Sequence, residues 1–234
     1  MSEMREFWDA RATENAMFFV DNRLDYSDTD AERFWAEGAS DLDTILGDLG
    51  VVLTRRQVVV DLGCGIGRMT RPLAEKSMHV IALDVSDKML EQGRAANAHL
   101  GNVSWVHGDG TNLTGVEDES VDGVFSFVVL QHVPTPEIVL GYVREMGRVL
   151  RPGGWCAFQV SNDPSVHKPR AGSTTKVKAL LGRAPKGQTH PAWLGTSVDP
   201  AELRATLAEV GLRPHTVLNE GTQFCLVHAV KEVR

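Results

Sequence analysis

The sequence predicts an α/β protein in which a mostly parallel, helix-covered sheet follows a helical head. Three observations carry that prediction. Long amphipathic periodicity stops near residue 50, and short apolar runs then alternate with helix-like segments. The first such run, Val58-Val59-Val60, is wholly β-branched, as suits a strand buried on both faces. Strand–helix alternation implies right-handed crossovers and therefore parallel pairing.

The head, residues 1–50, reads as two helices. Residues 4–21 carry Phe7, Trp8, Phe18 and Phe19 on a loosely amphipathic segment. Asp28, Thr29 and Asp30 offer caps for a second helix, in which Trp35, Leu42, Ile45, Leu46 and Leu49 recur at three- and four-residue steps until Gly50. Strands are expected at 58–60, 79–83, 103–106, 121–129 and 155–160. Ile138, Tyr142, Met146 and Val149 mark a helix with Thr135 as cap and Pro136 in its first turn, and Pro152-Gly153-Gly154 ends the connection after it. Asp199-Pro200 opens a last helix, stopped by Gly211. Runs at 213–218 and 222–230, turning at Asn219-Glu220-Gly221, read as a hairpin added to the sheet.

The chain has 234 residues, 42% of them hydrophobic and 24% charged, which fits one globular domain with or without an appendage and excludes collagen-like and disordered classes. No apolar run approaches the ~20 residues a membrane-spanning helix needs, the segment 124–130 being seven residues long and broken by Ser126. The net charge is -7, unevenly spread: thirteen acids and four bases give -9 in residues 1–50, leaving +2 elsewhere. Nucleic acid is a poor partner for such a surface. Residues 164–198 hold Lys168, Arg170, Lys176, Lys178, Arg183 and Lys186 with no acid. The expected organisation is a helical cap at 1–50 and a catalytic domain at 51–234, with the insert 163–198 as a lid or mobile loop. Cys64, Cys156 and Cys225 form no metal-binding spacing, so no metal is expected. The opening MSEMREFWDA has no signal pattern, and the expected compartment is the cytoplasm.

Ligands of open parallel sheets bind beyond the carboxyl ends of the strands. There the chain reads Asp61-Leu62-Gly63-Cys64-Gly65-Ile66-Gly67, a G-x-G-x-G turn, whereas a dinucleotide turn has G-x-G-x-x-G and would need glycine at Arg68. Asp61 beside this turn opposes a pyrophosphate but suits a cationic or hydrogen-bond-donating ligand. Asp84 ends the second strand, twenty-one residues after Gly63, where an acid can accept from two ribose hydroxyls. Asp109, after the third strand, could accept from an adenine amino group. Each acid alone could equally serve turn formation. Together they point to S-adenosylmethionine, a phosphate-free nucleoside with a sulfonium and an ammonium.

These segments, with Asp84-Val85-Ser86-Asp87-Lys88-Met89-Leu90, Gly108-Asp109-Gly110, residues 125–133 (FSFVVLQHV) and Leu150-Arg151-Pro152-Gly153-Gly154, resemble the motifs of Rossmann-like (class I) S-adenosylmethionine-dependent methyltransferases, over about residues 55–162. The resemblance implies a doubly wound seven-stranded sheet with an antiparallel last strand and an N-terminal helical cap of the small-molecule type. It implies that Gly63 and Gly65 flank the methionine moiety, with Cys64 a small residue beside the cofactor. Asp84 would hold the ribose, Val85 and Met89 the adenosine, and Asp109 with Gly110 the adenine. The backbone at Phe127 and Val128 would face the ammonium.

His132, just past the fourth strand, is the candidate base for an acceptor that arrives protonated, although it could instead bond a loop carbonyl. His107 reads as a local hydrogen-bonding group, and His167 and His190 could reach a site only if the insert folds over it. Phe19, Tyr26, Trp35 and Trp193 are candidate acceptor contacts, with Trp8 and Phe18 in the same aromatic set of the head, whose members at helical spacing read more readily as core. The expected activity is methyl transfer to oxygen or nitrogen of a small molecule. The alternatives are a nicotinamide-dependent oxidoreductase and a non-catalytic S-adenosylmethionine-binding protein.

Overall fold

The computed structural model describes residues 2–27, 30–168, 187 and 189–233. Helices α1 (Ser2–Val20) and α2 (Ala31–Leu49) lead into β1 (Val58–Leu62), α3 (Thr70–Lys76), β2 (His79–Asp84), α4 (Asp87–Ala96), β3 (Val103–His107) and β4 (Val121–Ser126). A short 3-10 turn (Leu130–His132), α5 (Pro136–Val149), β5 (Leu150–Val160), α6 (Pro191–Leu194), α7 (Pro200–Glu209), β6 (Leu212–Leu218) and β7 (Cys225–Lys231) complete the order. The seven strands form one sheet in the order β3-β2-β1-β4-β5-β7-β6. Pairs among β1 to β5 are parallel, while β7 runs antiparallel to both β5 and β6. This is the Rossmann-like doubly wound sheet, with its single antiparallel strand, that the motifs imply.

The strand reversal between β1's two neighbours is what makes a site here. β1 lies between β2 and β4, so their crossovers leave in opposite directions and open a crevice at the strand tips. One face of the sheet packs on α5 and α7 through Val143, Met146 and Leu207; the other packs on α2 and α3 through Leu42, Leu49 and Leu73. A third cluster, with Ala12, Ala16, Phe34, Ile66 and Met89, joins α1 and α2 to the glycine turn and α4.

Local chemistry explains most boundaries. Asp30 caps α2 by accepting from Arg33 N–H, and Gly50 ends it in the left-handed region at φ 68°. The alternative caps Asp28 and Thr29 lie outside the described residues. The structure departs from the sequence expectation in three places. The first head helix is interrupted at Asn15, whose extended backbone and side-chain oxygen, accepting from Phe18 N–H at 3.1 Å, start the helix afresh. β4 stops at Ser126 rather than 129, because Val128 turns to φ 57°. β5 starts at Leu150, before the Pro152-Gly153-Gly154 segment, with an irregularity between the Val121–Leu150 and Gly123–Trp155 pairs.

Candidate active site

At the crevice the glycine turn is tied to β2. Gly63 and Cys64 donate backbone N–H bonds to Leu83 O at 2.7 and 3.1 Å, and Gly65 N–H donates to one Asp84 carboxylate oxygen at 2.8 Å. The other Asp84 oxygen accepts from Ser86 N–H at 2.8 Å. Burial pushes the Asp84 carboxyl above its ordinary range, opposed by those backbone donors. A Cβ at Gly63 would stand 2.3 Å from Val129 Cγ1, and Gly63 has φ 74°, so the turn passes where only glycine fits.

Around this turn lies a cleft of about 790 Å³, including its open mouth. Its walls bring together Phe19, Gly63, Gly65, Asp84, Val85, Met89, Gly110, Phe127, Val128 and His132 from the expected set. Met4, Trp8, Val20, Leu83, Val129, Val133 and Tyr142 also line it. Trp8 belongs to the head's aromatic set; the signal of the others in the sequence is only that of ordinary core residues. Asp9 on α1 accepts from Ser86 Oγ at 2.6 Å and from Lys88 N–H at 3.1 Å, docking the head helix on the start of α4. Val128, β-branched yet in the left-handed region, carries backbone strain of the kind that collects at functional sites.

Asp61 and Cys64 face a second cleft instead, of about 960 Å³, which shares Val20, Gly63, Phe127 and Val128 with the first. Asp61 is 2% exposed and accepts from Thr70 Oγ1 at 2.6 Å; burial pushes its carboxyl up to about 7, with Thr70 opposing and Asp84 adding to the rise. Burial likewise pushes the Cys64 thiol well up, which leaves it no nucleophile. Arg68, where a dinucleotide turn would have its third glycine, pairs with Asp21 at 2.9 Å and Asp41 at 2.5 Å, and Arg23 pairs with the same two acids at 2.6 Å each.

His132 is enclosed. Its Nδ1–H donates to Trp193 O at 2.9 Å, its Nε2 lies 3.2 Å from Gln131 Nε2, and the Trp8 and Trp193 rings stand 5.6 Å away. Burial pulls its pKa down to about 4, the Trp193 carbonyl opposing, so it is neutral with its lone pair on Nε2. The described part of the insert does fold over this end of the cleft. Trp193 also packs edge-on against Phe19 at 5.6 Å, while His190 stacks on Phe7 at 4.5 Å. His167 bonds Ser161 Oγ at 2.7 Å and the Leu194 carbonyl. Five of the insert's six cations, from Arg170 to Lys186, lie outside the described residues.

Asp109, Tyr26 and Trp35 line neither cleft, and Trp193 reaches the first only through its contacts with Trp8, Phe19 and His132. Asp109 is exposed, and both its oxygens are engaged by Thr111 and Asn112 in its own turn; burial alone would raise it, but these donors hold its carboxyl below the usual range. Its neighbour Gly110 lines the cleft in its stead. Tyr26 donates its hydroxyl to Glu14 and packs on Phe18 at 5.1 Å. Trp35 lies under Arg71, whose guanidinium is 3.6 Å from the ring centroid. His107 bonds Val85 O at 3.1 Å, the local role expected of it.

The first cleft has Asp84 in its wall and no lysine or arginine among its described lining residues. A diphosphate would meet that carboxylate without a countercharge, whereas a phosphate-free nucleoside offers hydroxyl donors to it. Residues 60–158 match a family model described as a methyltransferase domain. Over those residues the chain is similar to methyltransferase domains. Over 153 residues it is 33% identical to phosphoethanolamine N-methyltransferase 1 of Caenorhabditis elegans, covering 65% of this chain and 30% of that protein. Over 122 residues it is 36% identical to demethylmenaquinone methyltransferase of Clavibacter sepedonicus, covering 52% and 48%. The chain thus spans under half the length of these relatives. The fold of Haemonchus contortus phosphoethanolamine N-methyltransferase 1, solved with phosphoethanolamine and S-adenosylhomocysteine, superposes with a TM-score of 0.68 at 20% identity, covering 100% of this chain and 49% of that one.

Proposed function

We propose that the chain transfers the methyl group of S-adenosylmethionine to an oxygen or nitrogen of a small-molecule acceptor. The observation that carries this reading is Asp84. It is a partly buried carboxylate at a strand tip, fixed by Gly65 N–H at 2.8 Å and Ser86 N–H at 2.8 Å, in a cleft whose described lining has no cation. Each carboxylate oxygen has a second acceptor position, so the two hydroxyls of a ribose can be accepted without displacing either backbone bond. Val85, Met89 and Gly110 supply the walls for adenosine, and Gly63, Gly65, Phe127 and Val128 those for the methionine end.

Bound there, the cofactor supplies an activated methyl on a sulfonium, so the protein's task is chiefly positioning. Holding an acceptor lone pair in line, about 3–3.5 Å from the methyl carbon, can provide roughly 7–11 kcal/mol of the barrier. Trp8, Phe19 and Trp193 exclude water at that end. His132, neutral and with its Nε2 lone pair turned to the Gln131 amide, can take a proton from an acceptor that displaces that hydrogen bond. On this reading residues 1–50 act as the cap and 163–198 as the cover of a catalytic domain beginning at 51. No described helix is long and apolar enough to cross a membrane. We place the protein in the cytoplasm, a reading supported by its three free cysteines. The test is calorimetry with S-adenosylhomocysteine: binding at one site per chain is expected, and no heat at millimolar ligand removes the reading.

A further inference from the structure

The described titratable side chains of the first cleft are Asp84, His132 and Tyr142. Asp84 is held by Gly65 and Ser86, and His132 by the Trp193 carbonyl. Tyr142, on α5, differs from both. It is 4% exposed, yet its hydroxyl has no hydrogen-bond partner among the described residues. The oxygen is not sealed in the core, so it opens onto the cleft that the side chain lines. A tyrosine buried this deeply ordinarily commits its hydroxyl to a partner.

The packing of α5 fixes where along the cleft this hydroxyl stands. One helical turn on, Glu145 accepts from Leu113 N–H at 3.1 Å, and Arg148 donates to Val116 O at 2.9 Å. On the preceding residue, a Cβ at Gly141 would touch Thr111 O at 3.9 Å. The helix is thus bound to the loop that follows β3, which sets Tyr142 toward the Gly110 end of the cleft. Burial, with Asp109, Asp84 and Glu145 nearby, pushes its hydroxyl above the ordinary tyrosine range, so it stays protonated and can donate.

That end is where the base of a nucleoside belongs. With the ribose on Asp84, adenine falls beside Met89 and Gly110, while Asp109 has both oxygens committed to its own turn. The ring nitrogens of adenine accept hydrogen bonds and cannot donate them, so a protonated phenol suits them.

We propose that the Tyr142 hydroxyl donates to a ring nitrogen of the cofactor's adenine and is the side chain by which this cleft reads the base. The inference rests on the methyltransferase reading, which puts the adenosine in this cleft. It is tested by calorimetry of the native chain and Tyr142→Phe with S-adenosylhomocysteine and its 1-deaza, 3-deaza and 7-deaza analogues, each of which has carbon in place of one accepting nitrogen.

The native chain should bind one analogue about 3–10-fold more weakly than the parent, the loss expected for one neutral hydrogen bond. Tyr142→Phe should lose a similar factor with the parent and no longer distinguish that analogue. A merely structural role would weaken every ligand alike and leave the distinction in place. Should the variant fail to fold, the native chain suffices. It has two tyrosines, so ¹³Cζ labelling gives one signal for Tyr142 and one for Tyr26, whose hydroxyl is committed to Glu14. The Tyr142 signal should move with the parent and much less with the discriminated analogue, while Tyr26 stays in place. Unchanged affinity in Tyr142→Phe, no distinction among the analogues, or a Tyr142 signal that moves alike with all of them overturns the proposal alone. Failure of S-adenosylhomocysteine to bind the native chain overturns the methyltransferase reading beneath it.

Discussion

The backbone N–H of Gly65 donates to the Asp84 carboxylate across 2.8 Å, joining the turn after β1 to the tip of β2. Asp84 thus has two tasks, shaping the glycine turn and presenting its remaining acceptor positions to the cleft. Asp84→Ala should weaken S-adenosylhomocysteine binding about 10–100-fold, the loss expected for charged hydrogen bonds worth about 1.5–3 kcal/mol. Calorimetry of the variant checks this, and unchanged affinity would place the ribose elsewhere.

Asp61 makes the ligand-free protein sensitive to pH. Its folded pKa, about 7, lies above its ordinary value of 3.8, so the folded state holds the proton more tightly. Its contribution is complete below the ordinary value and is lost as pH rises through about 7, by at most about 4 kcal/mol. His132 acts with the opposite sign over much of this range, so Asp61 is read by difference: the melting temperature of Asp61→Asn, which keeps an uncharged partner for Thr70, should rise relative to the native chain between about pH 4 and 7. A variant as pH-sensitive as the native chain would refute the assignment.

His132 shows the opposite sign. Its folded pKa of about 4 is below its ordinary 6.5, so the stability it contributes is present above 6.5 and lost as pH falls toward 4. Imidazole ¹⁵N signals should report a neutral ring, protonated at Nδ1, throughout pH 5.5–8. His132→Ala should reduce turnover 10²-fold or more while sparing cofactor affinity, the scale of a lost general base. Full activity in that variant excludes it from the chemistry.

Gly195 seats the strap over His132. Its φ of 62° and ψ of -151° belong to glycine, and a Cβ would fall 1.7 Å from Gln131 O. Gly195→Ala should lift the strap, which is otherwise held by Thr196 N–H on Gln131 O at 3.1 Å. Trp193 fluorescence should then shift toward that of a solvated indole, with the melting temperature changed little if the strap detaches as a unit.

The sheet was legible because its signals are local: β-branched runs, Thr135 with Pro136, and the Asn219–Gly221 turn each act within a few residues. What failed to show depended on a single distant contact or torsion. Val128 reads as strand, yet its left-handed turn ends β4. Trp35 fits the apolar period of α2, but Arg71 from α3 claims its ring. The three strand-tip acids were visible in order along the chain. Which way each points was not, because that follows from the turn: Asp84 into the first cleft, Asp61 toward Thr70 and the second, Asp109 into its own loop.

The most direct measurement is a crystal structure of the chain grown with S-adenosylhomocysteine. Both ribose hydroxyls should lie within hydrogen-bonding distance of Asp84, with the adenine beside Met89 and Gly110 and the sulfur near the Gly63–Val128 wall. Density for the nucleoside in any other cleft, or an Asp84 carboxylate untouched by it, would contradict the account.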